Sequence, residues 1–154
     1  MAVVTGTSGN DTIIGSNEAD TISGLAGNDS ILDQGGSDLV SGGEGDDTVQ
    51  LGNDGVSDVV LGGFGNDFVR IEGDSVAFGT AGGVNQVFLG AGADSIIVDD
   101  GDLPVEVGGG VGNDSLDLRA ALGNDTVYGG DDDDVIRLNR GFQRLELQSP
   151  APFR

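Results

Sequence analysis

The 154-residue sequence contains no cysteine, histidine, lysine or tryptophan. Without cysteine and histidine, disulfides and the usual zinc and copper sites are excluded. The common bases that activate a serine or cysteine nucleophile are missing as well. No apolar run approaches the roughly 18 residues that a membrane-spanning helix needs. We therefore expect no membrane insertion and no catalysis of the nucleophile–base kind.

Aromatic residues are scarce, with six Phe and one Tyr, whereas glycine is abundant, with 30 residues. This balance is not that of an ordinary globular core. A disordered chain would combine such a composition with polar tracts that lack apolar periodicity. Here the apolar residues are strictly periodic, which favours a folded repeat protein of one domain.

The charge is strongly negative and unevenly placed. The net charge is −21, and residues 1–136 hold 26 of the 27 acidic residues with only Arg70 and Arg119 as bases. Such a body repels nucleic acid and anionic membranes and must recruit cations to become compact. Divalent cations are the natural candidates.

A turn that usually ends in aspartate returns about every nine residues. The last residues of the successive turns are Asp11, Asp20, Asp29, Asp38, Asp47, Asp58, Asp67, Val76, Asn85, Asp94, Leu103, Asp114, Asp125 and Asp134. Two residues after each comes an apolar anchor: Ile13, Ile22, Ile31, Val40, Val49, Val60, Val69, Phe78, Val87, Ile96, Val105, Leu116, Val127 and Ile136. Most of these anchors are β-branched, and the period is not helical.

A strand of about three residues cannot bury its apolar anchor alone, so the units must stack. Two units then form one coil of about 18 residues, and successive strands belong to two facing parallel sheets. The turns alternate between the two edges of the molecule. The sequence therefore predicts an all-β fold without helices.

We divide the chain into an N-terminal lead-in (1–5), the repeat region (6–137) and a C-terminal cap and tail (138–154). In the last part, Phe142, Leu145 and Leu147 are expected to cover the open end of the apolar column. Pro150 and Pro152 indicate a frayed tail. Because the repeats begin by Gly6, we expect no cleavable N-terminal signal peptide.

The turns GLAGND (24–29), GGEGDD (42–47), GGFGND (62–67) and GGVGND (109–114) resemble the RTX (repeats-in-toxin) nonapeptide, a calcium-binding repeat. The resemblance extends over about residues 6–137. It implies a right-handed parallel β-roll with a row of Ca²⁺ ions between stacked turns, in proteins that are secreted. Calcium prefers six to eight oxygen ligands, which backbone carbonyls and aspartates provide.

In this family a calcium site joins two turns on the same edge. One turn provides its second and fourth carbonyls, the next turn provides its first and third, and both provide the final aspartate. Three sites follow in the first half, between Asp11, Asp29, Asp47 and Asp67. Their carbonyls would come from Thr7, Gly9, Gly24 and Ala26, then from Leu25, Gly27, Gly42 and Glu44, then from Gly43, Gly45, Gly62 and Phe64.

The same counting places the intact turns of the second half on the other edge. Two further sites are expected there, between Asp94, Asp114 and Asp134. Their carbonyls would come from Gly90, Gly92, Gly109 and Val111, then from Gly110, Gly112, Gly129 and Asp131. A metal-poor middle is expected near residues 71–88, and Asp125 is expected to lack a full site. The turns ending at Asp20, Asp38 and Asp58 keep the acid but lose the glycines, so metal binding there stays open.

Each aspartate alone could instead cap its own turn. An aligned row of carboxylates favours metal, because stacked charges repel unless a cation lies between them. Every aspartate is explained by the repeat, so we expect no enzyme. The sequence predicts a non-catalytic, calcium-binding structural module, secreted or on the surface of an extracellular particle.

Its partners would be calcium and itself or other extracellular structural proteins. Nucleic acid is not expected as a partner. The alternative is an accessory carbohydrate-binding or secretion module of a larger secreted enzyme. A glycan site would need a basic groove, for which only Arg70 and Arg119 are available in the body of the chain.

Overall fold

The computed structural model describes residues 1–52, 56–72, 84–99, 104–119, 125–138 and 144–145, the last pair as backbone only. These residues form two parallel sheets and contain no helix. The predicted all-β fold with two facing parallel sheets is confirmed. The predicted turn end at Val76, its anchor Phe78, the turn end at Leu103 and the cap residues Phe142 and Leu147 lie outside the described residues.

The odd-numbered strands form the eight-stranded sheet, in sequence order. They are β1 (Val3–Thr5), β3 (Thr21–Ala26), β5 (Leu39–Glu44), β7 (Val59–Phe64), β9 (Asn85–Ala91), β11 (Val105–Val111), β13 (Thr126–Asp131) and β15 (Arg144–Leu145). The even-numbered strands form the seven-stranded sheet. They are β2 (Thr12–Ile14), β4 (Ser30–Leu32), β6 (Thr48–Leu51), β8 (Phe68–Glu72), β10 (Ser95–Asp99), β12 (Ser115–Leu118) and β14 (Val135–Leu138).

The core consists of the predicted anchor column and a second column two residues further along. Twelve of the anchors are buried, and Ile136 is partly buried against the core. Strands with four or more residues add a second inward side chain, because side chains at positions i and i+2 share a face. These second residues are Leu51, Ile71, Leu89, Val98 and Leu118. Each fully buried side chain of this size contributes about 1.5–3 kcal/mol.

Two predicted registers are wrong. The first concerns the middle of the chain, where Val60 pairs with Val87, 27 residues later. Neighbouring pairs in the same sheet, such as Ile22 with Val40, are 18 residues apart. This one coil therefore contains nine additional residues. As a result, the turns that follow it lie on the same edge as the intact turns of the first half, not on the opposite edge.

The second wrong register concerns β11. Val107, not Val105, pairs with Val87 and with Val127. Val105 is buried, as predicted, but it aligns with Asn85 at the end of a turn. The turn therefore ends two residues later than Leu103.

Candidate metal centre

Seven aspartates stack along one edge of the roll, here called the aspartate edge. Each ends a turn from the eight-stranded to the seven-stranded sheet. The backbone N–H of each donates to Oδ1 of the next, at 2.7–3.0 Å. The seven residues are Asp11, Asp29, Asp47, Asp67, Asp94, Asp114 and Asp134. They form one uninterrupted row.

The predicted change of edge between the two halves is therefore wrong. Asp67 and Asp94 are neighbours, since the N–H of Asp67 donates to Oδ1 of Asp94 at 2.7 Å. The 27-residue coil between them has one nonapeptide more than the expected 18, so the turn ending at Asp94 returns to the aspartate edge. The row of aspartates is therefore continuous between its two halves.

The second oxygen of the interior carboxylates has no hydrogen-bond partner. Among the described residues, Oδ2 is buried and unpartnered in Asp29, Asp47, Asp67, Asp94 and Asp114. The terminal Asp11 differs, because its Oδ2 accepts from the backbone N–H and the hydroxyl of Thr7. A buried carboxylate oxygen without a donor is costly, so these five atoms are suited to bind a cation.

In five of the six gaps, Oδ2 and a backbone carbonyl oxygen of the next coil both lie close to a glycine, at a position where a Cβ atom would clash. A Cβ atom on Gly6 would lie 2.8 Å from Oδ2 of Asp11 and 2.6 Å from the carbonyl oxygen of Gly24. The same pair of oxygens, less than 3.0 Å from such a Cβ, recurs in five of the six gaps, at Gly6, Gly24, Gly42, Gly62 and Gly109. The exception is the gap after Asp94, where Leu89 replaces the glycine.

Comparison with protein families matches the RTX calcium-binding nonapeptide repeat in four copies, at residues 5–32, 14–49, 33–69 and 108–142. These copies cover well over half of the chain. The chain belongs to the RTX calcium-binding repeat family. No curated protein and no solved structure matches it significantly. RTX β-rolls are generally non-catalytic and typically belong to secreted proteins. In the described residues, no helix has the length and apolarity to span a membrane.

The residues on the aspartate edge fit the ion that RTX repeats bind. Calcium takes carboxylate and carbonyl oxygens at flexible geometry. Five gaps have a carboxylate Oδ2 and a carbonyl oxygen on either side of a glycine, and in four of these the Oδ2 is buried and unpartnered among the described residues. The buried aspartates of this RTX chain thus suit several calcium ions.

The sequence-predicted carbonyls lie at matching registers along this edge. The residues at the second turn position align with one another across the sheet; they are Leu25, Gly43, Gly63, Gly90, Gly110 and Gly130. The third-position carbonyls of Glu44, Phe64, Ala91, Val111 and Asp131 accept an N–H from the preceding coil at 2.7–3.3 Å. They retain one lone pair for a cation. No site was predicted between Asp67 and Asp94. The residues that flank this gap are Gly63, Gly65, Leu89 and Ala91.

Two non-glycine residues of this edge adopt a left-handed backbone. Leu25 has φ 82° at the second turn position, and Asp132 has φ 80° at the fourth. Equivalent turns have glycine there, such as Gly43 with φ 124°. The left-handed conformation costs a side-chain-bearing residue about 1–2 kcal/mol. The repeat geometry therefore overrides the local preference at both positions.

Burial raises the pKa of four aspartates of the row. The pKa of Asp67 and of Asp114 is raised to about 6, mainly by burial and to a smaller extent by neighbouring carboxylates. Burial also raises the pKa of Asp47 and Asp94. The N–H donated by the preceding aspartate opposes the shift in each case. Without a cation, Asp67 and Asp114 therefore bind protons close to neutral pH.

The residues that precede the turn-final aspartates form a second polar column, for which no role was predicted. The residue before the aspartate accepts a backbone N–H from the next coil in five of the seven turns, as Asn10 does from Asn28 at 2.9 Å, and the column is interrupted at Ala93. Asn28, Asp46, Asn66 and Asn113 repeat this bond. The sequence feature that could have predicted this column is the Asn or Asp that usually precedes the turn-final aspartate. This column links successive coils without using the turn-final carboxylates of the aspartate edge.

The turns ending at Asp20, Asp38 and Asp58 lie on the opposite edge, as predicted. Asp20 has no orphaned oxygen, since Oδ1 accepts from the N–H of Ala2 and Oδ2 from the N–H and hydroxyl of Ser16. The hydroxyl of Ser16 and these N–H groups lower the pKa of Asp20. Asp20 thus caps its own turn. Asp38 differs, because its buried Oδ2 has no partner among the described residues.

Proposed function

We propose that the chain is a non-catalytic structural module whose fold is completed by Ca²⁺ ions bound between successive coils of the aspartate edge. The row of buried, unpartnered Oδ2 atoms carries this proposal. Stacked carboxylates about 4.8 Å apart repel by about 3 kcal/mol per pair at an effective dielectric constant of about 20. A divalent cation in each gap converts that repulsion into attraction.

Seven aspartates in one row enclose six gaps, and each interior aspartate serves two of them. The ligands of the five gaps predicted from the sequence are those given above for Asp11 to Asp67 and for Asp94 to Asp134. The sixth gap, between Asp67 and Asp94, would use the carbonyls of Gly63, Gly65, Leu89 and Ala91. The continuous hydrogen-bonded row supports six ions rather than five.

Calcium binding would then supply folding free energy, because the sites do not exist in the unfolded chain. Such weak sites fill at about millimolar calcium, the level of extracellular surroundings. We therefore propose that the module folds outside the cell, in a secreted or surface-displayed assembly. Arg70 and Arg119 are paired with Asp99 and Asp117, at 2.6 and 2.7 Å, which does not favour a basic glycan groove.

Circular dichroism and size-exclusion chromatography with light scattering, each in EGTA and in about 10 mM Ca²⁺, test this proposal. We expect an expanded, mostly disordered chain in EGTA and a compact β protein in calcium. Magnesium at the same concentration is the control for ionic strength. Identical β content and size in EGTA and calcium would refute calcium-dependent folding.

A further inference from the structure

A group of three buried carboxylates lies on the opposite edge, away from the aspartate edge. One ligand oxygen from each of Asp33, Asp38 and Asp58 lies within 4.8 Å of the others. The three residues are only 1–3 % exposed. Asp33 and Asp38 belong to one turn and Asp58 to the turn of the next coil.

Strand alternation forces the Asp33 side chain inwards. Asp33 is two residues after the buried anchor Ile31, so both side chains share a face. Its backbone N–H donates to the carbonyl of Gln50 at 3.0 Å, which continues the register of β4 with β6. The corresponding residue of that next coil is the buried Leu51. An acid therefore occupies a position that elsewhere holds an apolar core residue.

Two oxygens of this group have no partner. Asp33 Oδ1 accepts from the N–H of Gly35 at 3.2 Å, and Asp38 Oδ1 accepts from the N–H of Asp20. The Oδ2 atoms of both residues are buried and unpartnered among the described residues. The N–H of Asp38 donates to Oδ1 of Asp58 at 3.0 Å, which fixes the two coils against each other. The Oδ2 atoms of Asp33 and Asp38 therefore provide two preformed oxygen ligands beside the Asp58 carboxylate.

We propose that Asp33, Asp38 and Asp58 bind one additional Ca²⁺ ion, at a site built from side chains rather than from a glycine turn. Three carboxylates and no nitrogen or sulfur ligand match a hard cation. The turn DQGGSD (33–38) has aspartate where the family repeat has its first glycine. Asp33 thus adds a charged side-chain ligand at a position where the family repeat has no side chain.

Native mass spectrometry in saturating Ca²⁺ tests the site by counting bound ions. Asp33→Asn keeps the acceptor for the Gly35 N–H and removes one ligand charge, so it should bind one ion fewer than the wild type. Asp46→Asn is the matched control, because Asp46 is exposed and asparagine occupies the same column at Asn10, Asn28 and Asn66. It should bind the full number. An unchanged count for Asp33→Asn would refute the site and indicate that a shared proton holds the cluster.

Crystals of the wild-type protein grown with Tb³⁺ provide a test that does not depend on the variant folding. An anomalous peak about 2.3–2.6 Å from oxygens of the three aspartates is expected. Peaks along the aspartate edge without one at Asp33 would refute this inference alone. Absence of all peaks would refute it together with the proposed calcium row. A parallel ion count in Mg²⁺ should show this site unfilled, and filling by Mg²⁺ would overturn the assignment to calcium.

Discussion

Replacing Asp29 by asparagine should remove two calcium ions at once. Asp29 has a neighbour in the row on each side, since Asp11 donates to its Oδ1 and its own N–H donates to Asp47, both at 2.8 Å. Asparagine keeps the acceptor for the Asp11 N–H but loses the charge at the orphaned oxygen. Alanine would also leave that N–H unsatisfied, at a further cost of about 1–3 kcal/mol. The asparagine variant therefore isolates the metal contribution.

The expected loss follows from the linkage between binding and folding. A site filled at ten times its dissociation constant stabilises the folded state by about 1.4 kcal/mol. Two lost sites should cost Asp29→Asn about 3 kcal/mol. The same change at Asp11, the end of the row, should cost about half as much, because Asp11 has only one neighbour. The ratio between interior and terminal variants does not depend on the absolute affinity.

Denaturant unfolding at several calcium concentrations, with ion counts by native mass spectrometry, measures both quantities. Asp46→Asn is again the control and should change neither. The cost of Asp29→Asn should grow with calcium concentration, by twice the slope that Asp11→Asn shows. Equal slopes for the two variants, or a cost that stays the same at all calcium concentrations, would refute the shared-ligand row.

Three further predictions address the turns and the charge. Leu25→Gly should stabilise the calcium-bound protein by about 1 kcal/mol, seen as a higher Tm, because Leu25 is half exposed and has a left-handed backbone. Gly42→Ala should bind one ion fewer, since its Cβ would occupy the space beside Asp47 Oδ2, whereas a Cβ on Gly9 meets nothing closer than 3.9 Å and Gly9→Ala should bind normally. Between pH 7 and 5, metal-free protein should gain β structure as pH falls, because carboxyls with a pKa of about 6 bind more protons folded than unfolded. Calcium affinity, measured by titration calorimetry, should fall over the same range.

The nine-residue period was sufficient to predict the sheets and the core. Each short strand places one apolar residue in the core, so an apolar residue recurs at the same position of every unit. Twelve of these anchors are buried, as predicted. Periodicity alone could not assign the edges. A coil of 27 residues is also a multiple of nine, so Asp94 fits the count on either edge. Edge assignment depends on how many units one coil contains, which is a tertiary property.

A charge argument could have corrected the edge assignment. The intact turns of both halves share the glycine pattern and the final aspartate, and neither Val76 nor Asn85 does. If the coil between Asp67 and Asp94 contains one additional nonapeptide, the two rows become one. Asp67 and Asp94 then each have a neighbour on both sides. Two separate rows would have four ends, and each end leaves an aspartate with one partner. The metal-binding chemistry therefore favours the continuous row that the hydrogen bonds show.

Continuity changes how calcium should act on the whole module. In two separate rows, ions in one half would not affect the other. In one row, each interior aspartate orients its Oδ1 towards the preceding N–H and its Oδ2 towards the gap, so filling one gap orders a ligand of the next. Repeat proteins gain stability from such nearest-neighbour terms. Folding should therefore extend from filled gaps on one side of the 27-residue coil to the gaps on the other side. The hydrogen bond between Asp67 and Asp94 connects the two halves of the row despite the additional nonapeptide.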